Sequence, residues 1–271
     1  MTDQLVHRRR FLALLGAGAG AAAAGTAGVL SGASAWADSG SSKSGPHFSY
    51  EGPTRAERWG SLSPRYRACS AGTSQTPINV ISSSVEPSSS NAQLQYQSVA
   101  ATALNTGHYL QINTASGASI VLDGAKFDLK QFHYHTPSEH AYDGRPFMVE
   151  WHFVHKDSAG KTAVFAVMAN AGAAHAGYAP ILAAAPAREG KTKALASPVN
   201  PSDLLPADRS AIGYEGSLTT PPCTEAVNWT LFAQPIEMSE DQVQMLQNYV
   251  GPNARPLQPM NGRHLQSRTV T

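Results

Sequence analysis

The chain has 271 residues, of which 14% are charged, and its formal net charge is +1. Nucleic-acid binding draws on a basic face that displaces counterions from phosphates, and neither the composition nor the net charge provides one. The balance points instead to a small or neutral ligand, and the two cysteines are too few for a disulfide-built scaffold.

Residues 1–37 read as an export signal and not as fold. RRRFLALL at 8–15 supplies the charged start, an Ala/Gly/Leu stretch runs to Leu30, and Ala35 and Ala37 flank Trp36 as a small-residue cleavage site. The order Arg8-Arg9-x-Phe11-Leu12 is similar to a twin-arginine signal. A membrane anchor is the alternative, but a stretch of Gly and Ala is a weak span. Cleavage after Ala37 would leave residues 38–271: a flexible leader at 38–46, then one domain at 47–271, periplasmic or secreted and with no stable membrane anchor. In an exported chain Cys69 and Cys223 are a candidate disulfide, with two buried free thiols as the alternative.

Strand-like runs follow at 109–113, 118–122, 126–135, 147–155, 162–169 and 227–232, rich in Val, Ile, Phe, Trp and Thr and separated by Gly, Asn, Asp and Pro. One helix is expected after Ser239, where Gln242 completes a capping box, Val243, Leu246 and Val250 form an apolar stripe, and Gly251-Pro252 stops it. A second, Ala-rich helix is expected around 176–184. The pattern predicts a mostly antiparallel sheet with short peripheral helices.

Two of these strands carry chemistry. Alternation along QFHYHTPSEH (131–140) puts Gln131, His133 and His135 on one face and Phe132 and Tyr134 on the other. In EWHFVH (150–155), Glu150, His152 and Val154 share a face. The turn-rich 136–146 segment would return the chain so that the two strands pair and the three histidines converge. Three histidines with one position left open is the arrangement of a catalytic zinc; structural zinc sites use four protein ligands, usually with cysteine. Gln131 and Glu150 each stand two residues before a histidine on its own face, where an outer partner fixing a ligand's tautomer belongs. GSLTTPPC at 216–223 is a rigid polar loop, and one of its threonines could donate to Glu139. His140, His155, His175 and His264 show no ligand spacing and read as structural or solvent-facing.

These stretches, with QTPINV (75–80), NTGHYLQI (105–112) and NARPLQP (253–259), together resemble the α-class carbonic anhydrases, in order and from about Tyr50 to Arg263. The resemblance implies a central twisted, largely antiparallel sheet of about ten strands. It implies reversible hydration of carbon dioxide to bicarbonate and a proton, by attack of a zinc-bound hydroxide. It implies Zn2+ on His133, His135 and His152, with Gln131 and Glu150 behind them. Thr219 matches the residue that orients the nucleophile, Glu139 its carboxylate partner, and Thr220 the residue beside bicarbonate. His108 matches the proton shuttle, and Tyr50 and Thr106 its water network, with Thr where Asn is commoner. Val154, Val164, Leu218, Val227 and Trp229 match the apolar wall that receives CO2. Exported bacterial members pair cysteines at the positions of Cys69 and Cys223. Some relatives dimerise, so the resemblance implies a monomer or homodimer. A zinc hydrolase of activated esters and a catalytically silent binding module are the rival readings; the intact histidine trio argues against the second.

Overall fold

The computed structural model describes residues 46–271. The expected export signal and all of the leader but Pro46 lie outside the described residues.

Ten strands of four or more residues carry the fold: β1 (Asn91–Gln95), β2 (Ala101–Asn105), β3 (Leu110–Thr114), β4 (Ser119–Leu122), β5 (Ala125–His135), β6 (Val149–Lys156), β7 (Thr162–Ala171), β8 (Ser210–Ser217), β9 (Glu225–Phe232) and β10 (Leu265–Val270). They lie in one sheet in the order β6-β7-β9-β8-β10-β1-β4-β5-β3-β2, and three shorter strands bring it to thirteen. Adjacent long strands are antiparallel except β7 with β9 and β10 with β1. Val85–Glu86, Thr192–Ala194 and Ile236–Met238 are the additions beyond the expected ten. They are only two or three residues long, too short for alternation to announce them. Likewise β1 (NAQLQ), β2 (ATALN), β8 (SAIGYEGS) and β10 (LQSRTV) carry little β-branched or aromatic signal, and their neighbours hold them extended.

The strand β5 organises the sheet. One edge pairs antiparallel with β6, placing His152 opposite His133 and Glu150 opposite His135. The other edge pairs with β4 near its start and with β3 at 131–133. The β5–β6 register slips once: Val154 opposes Gln131 but His155 opposes Leu129, so Lys130 is the extra residue of a bulge.

The two faces divide as the alternation predicts. Phe132, Tyr134, Trp151 and Phe153 are fully buried in the main core. Against this face packs the helix Glu240–Val250, and the Tyr134 hydroxyl donates to the Leu246 carbonyl at 2.9 Å. Its capping box is formed by Ser239 and Gln242, with Val243 and Leu246 inward. The Ala-rich helix is shorter than expected, Ala179–Ala183, because Pro180 lacks an N–H and fits only in a first turn. On the opposite side Val164, Met168, Ile212, Tyr214, Val227 and Trp229 form a second cluster.

Cys69, in a short helix Ala68–Ala71, is bonded to Cys223, with Cα atoms 5.0 Å apart. The bond joins this N-terminal helix to the loop that follows β8.

Phe153 fills the centre of the main core with no exposure. Replacing it with alanine is expected to lower stability by about 3–5 kcal/mol through lost burial and the cavity left behind. Chemical denaturation checks this; an unchanged midpoint would contradict the face assignment.

Candidate metal centre

The rings of His133, His135 and His152 converge, each offering a nitrogen within 4.8 Å of the others. All three side chains are buried. Their hydrogen bonds determine which nitrogen carries the lone pair. His133 Nδ1 donates to Gln131 Oε1 at 2.8 Å, leaving Nε2 bare. His135 Nδ1 donates to the Asn253 carbonyl at 2.7 Å, leaving its Nε2 bare and without a hydrogen-bond partner. The pattern inverts at His152, whose Nε2 donates to Glu150 Oε1 at 2.6 Å and leaves Nδ1 bare. Burial, and then the neighbouring imidazoles, hold the His133 pKa well down. Burial and His152 push that of His135 down to about 3. Burial likewise lowers His152, although Glu150 opposes it. Three neutral imidazoles with inward lone pairs fit a borderline-soft divalent cation such as zinc.

Glu150 anchors this arrangement. Its Oε1 accepts from His152 Nε2 and His140 Nδ1, both at 2.6 Å, and its Oε2 accepts from the backbone N–H groups of Glu139 and His140, both at 2.8 Å. Burial alone would raise this carboxyl; the His140 and His152 contacts more than offset it and hold it well below the usual carboxylate range. His140, Glu150 and His152 are also close enough to one another to hold an ion. Their polar atoms already satisfy each other, and His140 Nε2 shares a hydrogen bond with the Tyr214 hydroxyl at 2.6 Å. His140 is therefore buried and structural, with partners that no local spacing announced.

Glu139 lies beside the trio, its Oε2 3.4 Å from His135 Nε2 and 4.0 Å from His152 Nδ1. Its Oε1 accepts from the Arg255 backbone at 2.9 Å. Burial and the Glu150 charge raise its pKa well above the ordinary value, against the pull of the Arg255 N–H and the Thr219 side chain. Thr219 is thus in contact with the carboxyl that the sequence paired it with.

A cavity of about 1820 Å³ opens over His133 and His152. Val154, Val164, Leu218, Val227 and Trp229 all line it, as do Thr219 and Thr220. Val154 faces Val164 across β6–β7, and Val164 is level with Trp229 across β7–β9, so three adjacent strands build this wall. His108 lines the cavity too, in the turn before β3, where Gly107 takes φ +81°. Phe48 stacks on its ring with centroids 4.1 Å apart and 9° between planes, and exposed His47 lies 5.9 Å away. The Tyr50 hydroxyl is buried without a partner, and burial and then Glu139 raise its pKa. Thr106 behaves differently from a water-network residue. Its hydroxyl donates to the Tyr109 carbonyl and accepts from the His108 and Tyr109 N–H groups, so it is spent on the turn that presents His108.

Three contributors escaped the sequence reading. The Asn253 carbonyl holds His135, its Oδ1 accepts from the Thr136 N–H at 2.7 Å, and its Nδ2 donates to the His108 carbonyl at 2.9 Å. Arg255 holds Glu139 through its backbone. Phe48 stacks on His108. The contacts to His135 and Glu139 use main-chain atoms of Asn253 and Arg255, which leave no residue-type signature, and the Asn253 amide acts on segments distant in sequence; NARPLQP was the only pointer to them.

An extended, twisted sheet with three buried imidazoles under an open, half-apolar cavity defines a metal-binding enzyme of the open-site kind. A sequence model of the eukaryotic-type carbonic anhydrase family matches residues 54–269. A carbonic anhydrase of Pectobacterium carotovorum is 38% identical over 218 residues, covering 80% of this chain and 89% of its own. The α-carbonic anhydrase of Thermovibrio ammonificans, solved in complex with the inhibitor sulfanilamide, superposes with a TM-score of 0.81 at 36% identity, covering 82% of this chain and all of its own. The Photobacterium profundum α-carbonic anhydrase gives 0.76 at 38% identity, covering 81% and 100% of the respective chains. The chain belongs to the eukaryotic-type, or α, carbonic anhydrase family. It is an enzyme of the lyase class, and the family's activity is carbon dioxide hydration.

Gln131→Ala removes the acceptor that orients His133. Zinc affinity should fall about 10- to 100-fold, the usual cost of losing such a partner. Competition with a chromophoric chelator checks this; unchanged affinity would mean that His133 does not depend on Gln131.

Proposed function

We propose that the protein holds Zn2+ on His133 Nε2, His135 Nε2 and His152 Nδ1 and catalyses the reversible hydration of CO2. The observation that carries this is the set of three ring nitrogens within 4.8 Å of one another, two of their histidines lining a cavity with one apolar wall. Zinc supplies Lewis acidity that brings a bound water's pKa into the neutral range, carbonic anhydrase being the standard case of this chemistry.

The chain's own residues do the rest. CO2 is linear and apolar, so Val154, Val164, Leu218, Val227 and Trp229 receive it by dispersion and exclusion of water, without a charged clamp. The Thr219 hydroxyl donates a hydrogen bond to Glu139 and keeps its proton there, which leaves the threonine oxygen as an acceptor that would orient the attacking oxygen toward carbon. Thr220 lies beside the product. The proton leaves through ordered water to His108, histidine being the side chain whose ordinary charge change falls nearest neutral pH. Tyr50, its hydroxyl buried near Glu139, orders that water. The disulfide supports an oxidising compartment, reached through residues 1–37 as a cleaved twin-arginine signal, with 47–271 as the working domain.

Stopped-flow CO2 hydration with zinc analysis tests the reading. Chelation should abolish activity and zinc should restore it. Thr219→Ala should keep stoichiometric zinc and lose about two orders of magnitude in rate, the usual effect of one orienting hydrogen bond. An active apo-protein, or an undiminished Thr219→Ala variant, would refute the assignment.

His108→Ala separates proton export from chemistry. Zinc content and CO2–bicarbonate isotope exchange at equilibrium should stay near wild type. Net turnover in dilute buffer should drop, and added imidazole should restore much of it. Equal losses in exchange and turnover, without imidazole rescue, would remove His108 from the proton path.

A further inference from the structure

The cavity, at about 1820 Å³, is far larger than a three-atom substrate requires, and its outer part has a charge that hydration of a neutral gas does not use. Lys130, Lys156 and Lys161 all line it. The backbone gathers them. Strict alternation would put Lys130 beside Phe132 and Tyr134, in the core. As the extra residue of the β5–β6 bulge, it stays on the same side as Gln131 and reaches the cavity with it. On the facing strand Lys156 follows Val154, past the same register slip, and opposes Asp128. Thr162 pairs with Lys156, so Lys161 stands next to that pair at the end of the β6–β7 hairpin. The two strands that carry the histidines thus continue outward into lysines. Lys130 lies three residues beyond His133 and Lys156 four beyond His152, or roughly 10 and 13 Å along the strands.

The nearby carboxylates leave this rim cationic. Asp128 bridges Lys130 at 3.3 Å and the more exposed Lys126 at 3.6 Å, one acid between two bases. Asp157 accepts from the Ala159 and Lys161 backbone N–H groups and closes the hairpin turn. The cavity's two other carboxylates, Glu189 and Glu225, belong to other segments of its lining. Glu189 lies against Gly107 in the His108 turn, and Glu225 accepts from Gln75 Nε2 and the Ser74 N–H. Partial burial lowers the Lys156 pKa, and Asp157 restores only part of the loss, so an incoming anion would stabilise the charged form.

We propose that Lys130 and Lys156, flanked by Lys161, form an anion subsite for ligands with a carboxylate at one end and an apolar, typically aromatic, body running along the Val154–Val164 wall to the metal centre. This rests on the metal-centre reading above. It adds selectivity for negatively charged aryl ligands over neutral ones of equal size.

The test uses zinc-loaded protein and two benzenesulfonamides that differ only at the para position: sulfanilamide, which is neutral there, and 4-carboxybenzenesulfonamide. Affinities are measured by calorimetry for wild type, for the Lys130→Gln/Lys156→Gln variant and for Lys130→Arg/Lys156→Arg. Partly exposed ion pairs are worth a few-fold each, so the ratio of carboxylate to sulfanilamide affinity should fall about tenfold in the Gln variant. It should persist in the Arg variant. In wild type it should shrink at 0.5 M salt, roughly, where screening is strong. Sulfanilamide affinity is the internal reference for an intact centre. A ratio unchanged within about twofold in the Gln variant at low salt would overturn the subsite while leaving the metal centre standing. Absence of sulfanilamide binding to wild type would overturn the metal centre, and the subsite with it.

Discussion

A single buried carboxylate, that of Glu150, determines the geometry around it. A charge removed from water is tolerated only when its lone pairs are fully engaged, and Glu150 has four donors on two oxygens. Those donors come from three places: the ring of His152, the ring of His140 and the backbone at 139–140. Satisfying one carboxylate therefore fixes the tautomer of His152. It also pins the turn from which Glu139 projects and locks a second histidine against Tyr214. Removing the carboxylate would leave His140, His152 and two backbone N–H groups unpaired in the interior, so the site and the local fold are not separable here.

The C-terminal segment closes the site from behind. Asn253 binds His135, Thr136 and the His108 carbonyl, and two residues later Arg255 binds Glu139 through its backbone. The Arg255 guanidinium donates to the carbonyls of Thr76 and Cys69 at 2.7 and 2.9 Å. Cys69 is tied to Cys223, four residues beyond Thr219. One short stretch thus joins the histidine cluster, the His108 turn and the disulfide-anchored threonine loop into one packed unit. Elements that must hold sub-ångström relationships are better fixed by such cross-links than by a flexible loop.

The cavity is asymmetric for the same reason that its strands are. Where β5 and β6 stay in register, alternation sends aromatics to the core and histidines to the floor. Where they slip, Lys130 joins the cavity side. Apolar wall, polar floor and cationic rim are successive positions along two neighbouring strands, so small changes at the bulge would alter what the outer cavity admits without disturbing the histidine cluster.

Much of this was legible in the linear chain. Period-2 alternation in QFHYHTPSEH and EWHFVH put the three histidines, Gln131 and Glu150 on one side and Phe132, Tyr134, Trp151 and Phe153 on the other, because side-chain direction in a strand is a local property. The capping box at Ser239 and Gln242 is equally local, and it formed as read. What only the tertiary structure decided were relationships carried by the main chain or by distant segments. The carbonyl that orients His135 belongs to Asn253, 118 positions away, and any residue type has a carbonyl. The hydroxyl of Thr106 turned to its own loop, although its motif suggested a water network. β1, β2, β8 and β10 are extended because their neighbours complete their hydrogen bonds, not because their residues prefer it. Lys130 faces the cavity because of a one-residue slip in register, and register is a property of two strands together that neither strand's sequence specifies alone.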